Sequence, residues 1–369
     1  MKTLLKVLLT IILSVVLLIG GLVGYLALTE YRPQPIIPVQ LRGGQQDRAL
    51  SPGDELIVTS FNIGYAALDQ DTDFFMDGGT MSRGISKERI EANLTKIVDF
   101  LKWQDSDIYL IQEVDQKSTR SYSVDQRAKI SDSLEDYDSS FGINYQVGWV
   151  PVPLQQPMGK VLSGILTLSK FTVSDTSRYV LPGEYSWPTR LAQLDRCLLE
   201  SRIPLTNRKE LVIAHVHLSA YDEGGFIRNQ QLSFLEEYAR SEYAKGNYVI
   251  IGGDWNHLLS KNPDEFRARH SANWPDWLQL LPRDFLSEFK WAYDEEIPTN
   301  RSLEAPYNPK TSFVVTIDGF LVSPNIEILE VRGHDLGFQF SDHNPVTVRL
   351  RLEQAFEEQD LMDVEDTHD

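Results

Sequence analysis

Short apolar segments recur along the whole of this 369-residue chain and constrain its fold more than any other feature. Each is bounded by polar or turn-forming residues, as buried β-strands are. Two further stretches, 87–102 and 230–244, repeat apolar residues at helical spacing. Many strands for each helix predict an α/β (α+β) fold whose core lies between sheets covered by helices. The predicted strands are Glu55–Phe61, Ile108–Gln112, Ser163–Leu168, Arg196–Ile203, Leu211–His217, Tyr248–Gly253, Ile317–Val322, Ile326–Val331 and Pro345–Leu352.

The N-terminal segment from Val7 to Thr29 has 23 residues without a charge and follows Lys2 and Lys6. At 1.5 Å per residue it can cross a hydrocarbon core of about 30 Å. It is longer than the apolar part of most cleaved signal peptides, which favours a signal anchor over residues 1–29. The two lysines favour a cytoplasmic N-terminus. We therefore expect a single-pass protein of the cell membrane whose later residues are extracytoplasmic.

Changes in composition divide the remainder of the chain. Residues 30–53 contain four prolines and three glycines without a hydrophobic period, which predicts a linker. Residues 54–352 contain the apolar segments and form the predicted folded domain. Residues 353–369 carry eight acidic residues and no lysine or arginine, which predicts a solvated acidic tail.

The charge balance and the cysteine count exclude some classes of function. The chain has 53 acidic and 35 basic residues, so its formal net charge is −18. This charge disfavours tight non-specific binding to nucleic acid, which is not the favoured partner. The single cysteine, Cys197, can form neither an internal disulfide nor a cysteine-based zinc site. Any bound metal must therefore be held by oxygen or imidazole. No feature of the sequence indicates a protein partner.

Polar side chains follow several predicted strands at the point where each strand ends. Taken singly, each has an ordinary explanation as a turn, cap or surface residue. Together they predict a site, because ligands of open α/β sheets bind at the carboxyl ends of strands. The residues are Asn62, Glu113, His217, Asp254, Asn256, Asp318, Asp342 and His343. Trp255 alternates with its neighbours, so we expect its side chain to point away from them into the core between the sheets.

These motifs resemble those of the endonuclease/exonuclease/phosphatase superfamily over about residues 55–352. The most specific are Gly253-Asp254-Trp255-Asn256 and Ser341-Asp342-His343-Asn344-Pro345, followed by Gln112-Glu113-Val114. Their order along the chain also matches. The resemblance implies a four-layer sandwich of two mixed β-sheets flanked by helices, preceded here by one transmembrane helix. It also implies that residues 54–352 are a catalytic domain that hydrolyses phosphate esters with a divalent metal.

The resemblance implies roles for individual residues. Glu113 resembles the principal ligand of Mg²⁺, with Asn62 beside it, and Asp342 resembles a further metal ligand that could bind a second cation; Mn²⁺ or Ca²⁺ are alternatives to Mg²⁺. A hard cation suits such oxygen ligands and leaves room for a phosphate oxygen. His343 resembles a general base whose other ring nitrogen donates to Asp318.

Asp254 and Asn256 resemble the pair that orients the attacking water. Members of the superfamily assign the base to this aspartate or to the histidine, and the assignment stays open here. His217 resembles the histidine of deoxyribonucleases and sphingomyelinases that contacts the phosphate or protonates the leaving oxygen, which favours those two branches. Arg120 follows Glu113 closely and is a candidate phosphate-binding residue, because a guanidinium pairs two phosphate oxygens.

Three functions are compatible with this pattern. The favoured one is a metal-dependent phosphodiesterase on the extracytoplasmic side of the membrane, acting on a lipid head group or a small phosphodiester. The alternative is a membrane-anchored nuclease of the same superfamily. A binding protein that keeps the sandwich without turnover is the third, and the complete set of polar residues argues against it.

Overall fold

A computed structural model describes residues 1–43 and 48–354 of the chain. Its main body consists of two mixed sheets packed face to face, with helices on both outer surfaces. The predicted fold class is confirmed. The helices in the described ranges are α1 Lys2–Leu28, α2 Lys87–Gln104, α3 Gln126–Ser133, α4 Phe226–Ala244 and α5 Pro263–Arg269.

The strands in the described ranges include all nine predicted ones, each displaced by a few residues at most. They are β1 Ile36–Pro38, β2 Glu55–Asn62, β3 Ile108–Asp115, β4 Asp138–Val150, β5 Gly159–Ser169, β6 Asp175–Val180, β7 Cys197–Pro204, β8 Glu210–His217, β9 Tyr248–Asp254, β10 His257–Leu258, β11 Gln279–Leu280, β12 Lys290–Ala292, β13 Asn300–Arg301, β14 Val314–Val315, β15 Asp318–Val322, β16 Ile326–Gly333 and β17 Val346–Leu352. The long strand β4 was not predicted, because serine, glycine and asparagine interrupt its apolar residues.

The two large sheets each contain one parallel pair. The first sheet has the order β1-β6-β7-β8-β9-β15-β12, and β8 runs parallel to β9. The second has the order β16-β17-β2-β3-β5-β4, and β2 runs parallel to β3. The strands of a parallel pair end at the same edge of a sheet. The polar residues that follow β2 and β3 are therefore neighbours, as are those that follow β8 and β9.

Apolar side chains from both sheets form the central core, including Val58, Leu110, Ile250 and Phe320. Helix α2 covers the outer face of the second sheet, and Ser86 caps it by accepting a hydrogen bond from the Arg89 backbone N–H.

Helix α4 covers the outer face of the first sheet. Trp255 lies in this outer layer beside Phe285 and Trp291, so its predicted position between the sheets is wrong. Its direction away from Asp254 is as expected, but the opposite face of this sheet is covered by helix α4 rather than by the second sheet.

Helix α1 is the one helix in the described ranges that is long and apolar enough to cross a membrane. This property follows from length and composition alone, and a signal sequence has it too. The most apolar part of α1 is exposed, whereas Leu26 near its C-terminal end is buried against the domain.

The structure differs from the predicted linker over residues 30–53. Strand β1 pairs with β6, and Arg42 pairs with Ser139 through backbone hydrogen bonds. Leu50 is buried in the core between the sheets. The described part of this segment therefore packs on the domain, because proline and glycine do not prevent a short edge strand from forming. Of the predicted acidic tail, residues 355–369 lie outside the described residues.

Candidate active site

The two sheets bring their polar strand ends together. Asn62, the last residue of β2, donates a hydrogen bond from Nδ2 to Oδ2 of Asp254, the last residue of β9, at 3.1 Å. The same Nδ2 lies 3.4 Å from Oε1 of Glu113. Asn62 thus links the second sheet to the first, and it joins two of the predicted carboxylates.

His343 occupies a buried position between two carboxylates. Its Nδ1 donates to Oδ2 of Asp318 at 2.8 Å, and its Nε2 lies 3.9 Å from Oδ2 of Asp254. Burial alone would lower the pKa of His343, but Asp318, Asp342 and Asp254 outweigh it and raise the pKa to about 10. The cluster therefore strongly favours a proton on this ring.

Asp254 is the centre of the polar cluster. Its Oδ1 accepts from the Asn256 backbone N–H at 2.9 Å, and its Oδ2 lies 3.4 Å from Nε2 of His217. Burial and the Asp318 carboxylate raise the pKa of Asp254 to about 7, and His343 opposes the shift. A buried carboxylate and an imidazole in this arrangement can exchange a proton with a nearby water and titrate as a pair.

Glu113 reaches the cluster because its backbone departs from regular strand geometry. The pairing of β3 with β5 shifts register between Ile111 and Val114. Glu113 lies in this irregularity with φ 56°, in the left-handed region that few residues other than glycine adopt. A bulge of this kind re-aims a side chain. Here the Glu113 side chain lines a cleft at the strand ends.

Glu113 and Asp342 form the part of the site whose chemistry suits a cation. Burial raises the pKa of Asp342 to about 6; His343 opposes this shift, and the Glu113 carboxylate adds to it. A buried carboxylate with a second carboxylate in the same cleft fits a divalent cation with oxygen ligands. The Asn62 amide oxygen accepts from the Gly64 backbone N–H, so its nitrogen, not its oxygen, faces Glu113.

A second group of potential ligand atoms is the trio Asp254, Asp318 and His343, whose atoms lie within 4.8 Å of one another. The Asp318–His343 hydrogen bond already uses one carboxylate oxygen and one ring nitrogen. This trio therefore fits proton transfer better than cation binding.

His217 is neutral and has a free nitrogen. Burial, with Arg196 and His343, lowers the pKa of His217 well below its ordinary value. Its Nδ1 is buried and has no hydrogen-bond partner among the described residues. Since buried polar atoms normally have partners, this nitrogen is available to a bound group. His217 lines the cleft.

Arg120 also lines the cleft, but it is engaged in an ion pair. Its Nε and Nη2 donate to the two carboxylate oxygens of Asp115 at 3.2 and 2.9 Å. The guanidinium carbon lies 3.7 Å from the ring centroid of Tyr65. These contacts fix the position of the Arg120 guanidinium in the lining of the cleft.

The cleft that contains these residues has a volume of about 900 Å³. Its lining includes the polar residues Glu113, Asp254, Asn256, Asp342 and His343. It also includes apolar residues, among them Leu68, Phe74, Val150, Met158 and Leu194. The cleft can therefore hold a molecule with a charged group and an apolar part.

Two residues of the site were not identified from the sequence. Asn300 places Nδ2 3.0 Å from Nε2 of His343, and Arg196 donates to the backbone oxygen of His217 at 3.3 Å. Asn300 lies in the two-residue strand β13, which no apolar segment marks. Arg196 begins a predicted strand, but its own position gave no sign that it faces the cleft.

A sandwich of two mixed sheets with carboxylates, imidazoles and amides at its strand ends is the architecture of phosphoesterases that act with a divalent metal. Residues 60–343 match the sequence profile of the Endonuclease/Exonuclease/phosphatase family. The match covers more than half of the chain. The chain belongs to this family, and the resemblance inferred from its motifs is confirmed at this level.

Solved structures show the same fold. An endonuclease/exonuclease/phosphatase from Beutenbergia cavernae is 17% identical, with a TM-score of 0.54 over 82% of this chain and 72% of that one. An endonuclease/exonuclease/phosphatase from Bacteroides vulgatus is 16% identical, with a TM-score of 0.51 over 81% of this chain and 100% of that one. ANGEL2, a 2′,3′-cyclic phosphatase, is 14% identical, with a TM-score of 0.53 over 87% and 100%. No curated protein sequence matches significantly.

Proposed function

We propose that this protein is a divalent-cation-dependent phosphodiesterase anchored in the cell membrane by α1, with its catalytic domain on the extracytoplasmic side. Its favoured substrate is a lipid head group or a small phosphodiester. The observation that supports this proposal is the continuous series of contacts from Glu113 through Asn62 and Asp254 to His343 and Asp318.

Glu113 and Asp342 would hold the cation, with Asn62 beside them. The ion is Mg²⁺ in this proposal, with Mn²⁺ or Ca²⁺ as alternatives, and it supplies Lewis-acid polarisation of a phosphate oxygen. The donor set supports a hard cation because it is made of carboxylates.

The protein's own groups carry the proton transfers. A water attacks phosphorus, and the Asp254–His343 pair takes its proton. Asp318 holds the imidazole, and Asn256 orients the water together with Asp254. The bond from phosphorus to the leaving oxygen breaks, and that oxygen receives the proton released by the water, passed from Asp254 to the adjacent His217, whose Nε2 lies 3.4 Å from Asp254 Oδ2.

Arg120 is proposed to bind a phosphate oxygen. Its Nε and Nη2 are held by Asp115, so the proposal assigns the contact with substrate to Nη1. A guanidinium fixed by its own ion pair loses little conformational freedom when a substrate binds.

A panel of substrates tests the reaction. The purified full-length protein is assayed with bis-p-nitrophenyl phosphate, vesicles containing sphingomyelin or phosphatidylinositol, and duplex DNA. Each assay is run with Mg²⁺, Mn²⁺ or Ca²⁺ and with a chelator as control. We expect diester hydrolysis that the chelator abolishes. Equal turnover with chelator, or none with any substrate, would contradict the proposal.

A histidine pair provides a matched test of the residues. His343→Ala should lower diester hydrolysis by about 10²- to 10⁴-fold, the contribution of a positioned acid–base group. His334→Ala is the control, since His334 is similarly buried but contacts Thr347 away from the cleft. A folded His343→Ala variant with the turnover of the His334→Ala variant would refute the role.

The nuclease alternative makes a different prediction about salt. A nuclease that contacts several phosphates should lose DNA affinity steeply as salt concentration rises, whereas hydrolysis of a small diester should not. The net charge of −18 supports the non-nuclease substrate. The binding-protein alternative predicts no turnover in any part of the panel.

The membrane side is proposed from Lys2 and Lys6, which precede the apolar run of α1. Protease treatment of intact cells or spheroplasts should degrade the domain while leaving cytoplasmic markers whole. A domain protected until the membrane is broken would place it in the cytoplasm.

A further inference from the structure

Four large apolar side chains are exposed on the two segments that precede or contain cleft-lining residues, and they are called here the apolar rim. Trp149, Val152, Leu154 and Trp187 are 40%, 43%, 83% and 61% exposed. The first three belong to the end of β4 and its connection to β5, and Trp187 belongs to the loop after β6. Exposed apolar side chains are normal when scattered singly, whereas three within six residues, as at 149–154, indicate an interaction surface.

The apolar rim lies where α1 meets the domain. The Tyr25 side chain of α1 packs closely against Gly148, the residue before Trp149. Arg190, three residues after Trp187, forms an ion pair with Glu30 just beyond α1, with Nε 3.3 Å from Oε1. Both parts of the rim thus lie within three residues along the chain of a residue that contacts α1 or Glu30 just beyond it.

The rim also borders the cleft of the candidate site. Val152 itself lines the cleft, as do Val150 and Met158 from the same connection. Gln193, which lines the cleft, also lines a small cavity together with Leu26 of α1. One residue therefore borders both the cleft and the cavity at the end of the apolar helix.

We propose that the apolar rim inserts into the surface of the bilayer beside α1, so that the cleft opens toward the lipid head groups and takes a membrane phospholipid as its substrate. This inference rests on the proposed function and chooses the lipid among its candidate substrates. Tyr25, which contacts the domain, lies near the C-terminal end of α1. The contact is therefore only a few residues along the helix from the part that would lie in the lipid. Tryptophan side chains prefer this interfacial depth.

The charge of the domain supports an apolar mode of docking. The chain has an excess of 18 acidic residues, which an anionic membrane surface repels. Docking through Trp149, Leu154 and Trp187 does not need basic residues. The apolar residues that line the cleft would then accept part of a lipid chain while the head-group phosphate reaches Glu113 and His343.

Lipid-dependent quenching of tryptophan fluorescence tests the docking step. The full-length protein is reconstituted in vesicles of phosphatidylcholine and phosphatidylglycerol, with and without brominated phosphatidylcholine. We expect the double variant Trp149→Phe/Trp187→Phe to lose most of the bromine-dependent quenching. Trp103→Phe is the matched control, because Trp103 is 67% exposed but packs beside His334 at the opposite edge of the second sheet. Equal quenching in the double variant and the wild type would overturn the proposal.

A ratio of two activities tests the link to the substrate. The triple variant Trp149→Ser/Leu154→Ser/Trp187→Ser changes only exposed side chains, so it should fold and hydrolyse bis-p-nitrophenyl phosphate normally. Its hydrolysis of the sphingomyelin or phosphatidylinositol vesicles should fall by at least about tenfold, the effect that loss of one large buried apolar side chain can produce. An unchanged ratio of the two activities would overturn the lipid assignment.

The two measurements separate this inference from the proposed function. If the wild type hydrolyses no diester, the proposed function fails, and the quenching experiment still decides whether the rim enters the bilayer. If the wild type hydrolyses the soluble diester but neither lipid, the lipid assignment is refuted while the hydrolase proposal stands.

Discussion

Replacement of Asp318 by asparagine tests whether this carboxylate orients the His343 imidazole, and it exchanges only one heavy atom. Asp318 is fully buried, and its Oδ2 accepts from Nδ1 of His343 at 2.8 Å. Its backbone lies opposite Asp254 in the pairing of β15 with β9. Asparagine keeps the size of the side chain but removes the negative charge. The imidazole then loses the partner that holds its orientation and stabilises its cation.

The expected loss of kcat/KM follows from the kind of hydrogen bond that the substitution weakens. A hydrogen bond to a charged group contributes about 1.5–3 kcal/mol, which corresponds to a fall in kcat/KM of roughly one to two orders of magnitude. The free energy of unfolding should change less than kcat/KM does. Oδ1 of Asp318 has no hydrogen-bond partner among the described residues, and an ionised buried carboxylate costs more to bury than an amide. Loss of the bond to the protonated His343 acts in the opposite direction, so we expect the net change in the free energy of unfolding of Asp318→Asn to be small.

Asp107→Asn is the matched control for this prediction. Asp107 precedes β3 at the opposite end from Glu113, and its carboxylate accepts from the Ile57 backbone N–H and from Arg48. Its replacement should cost about 1–2 kcal/mol of stability and leave turnover unchanged. Steady-state kinetics with bis-p-nitrophenyl phosphate and urea unfolding measure both quantities. Normal turnover in a folded Asp318→Asn variant would refute the proposed orientation of His343.

Three further predictions concern stability and the shape of the site. Burial opposes ionisation of Glu242, but hydrogen bonds from Arg202 and others outweigh it and lower the pKa to about 2, below its value in the unfolded chain. Glu242 should therefore stabilise the protein at pH 7 by up to about 3 kcal/mol, and the advantage over Glu242→Gln in urea unfolding should disappear as the pH falls toward 2. Gly253→Ala should prevent normal folding, seen as a lost or lowered thermal transition, because its Cβ would lie 1.9 Å from the Val216 backbone oxygen. Ser86→Ala should lower the free energy of unfolding by about 1 kcal/mol by removing the cap of α2, and an unchanged urea midpoint would contradict this.

Much of the site could be predicted because its residues directly follow apolar strands. Asn62, Asp254 and His217 end strands that are mostly apolar or β-branched, so the sequence marks both the strand and its polar end. The parallel pairs β2–β3 and β8–β9 then bring these ends to the same edge. Local pattern and sheet geometry together were enough to bring these residues into one hypothesis.

The parts that escaped prediction depend on contacts between distant segments. Asn300 meets His343 through an isolated antiparallel bridge between two irregular segments. Strand β1 forms because β6 offers an unpaired edge to Ile36–Pro38, and composition alone could not reveal that edge. In each case the local sequence is compatible with a loop, and a tertiary partner decides the structure.

The position of Glu113 shows how closely the site depends on packing between the sheets. Regular pairing would keep β3 in one register with β5, but the register shifts at Gln112 and Glu113. The Gln112 side chain faces the opposite sheet. Its Nε2 lies 2.7 Å from Nε2 of His215 on that sheet and 3.2 Å from Oγ of Ser60. These contacts hold the irregular backbone in place, because Gln112 and His215 are fully buried and need each other as partners. The left-handed conformation of Glu113 is thus stabilised by polar contacts between the sheets, and the carboxylate enters the cleft as a consequence of how the sandwich is assembled.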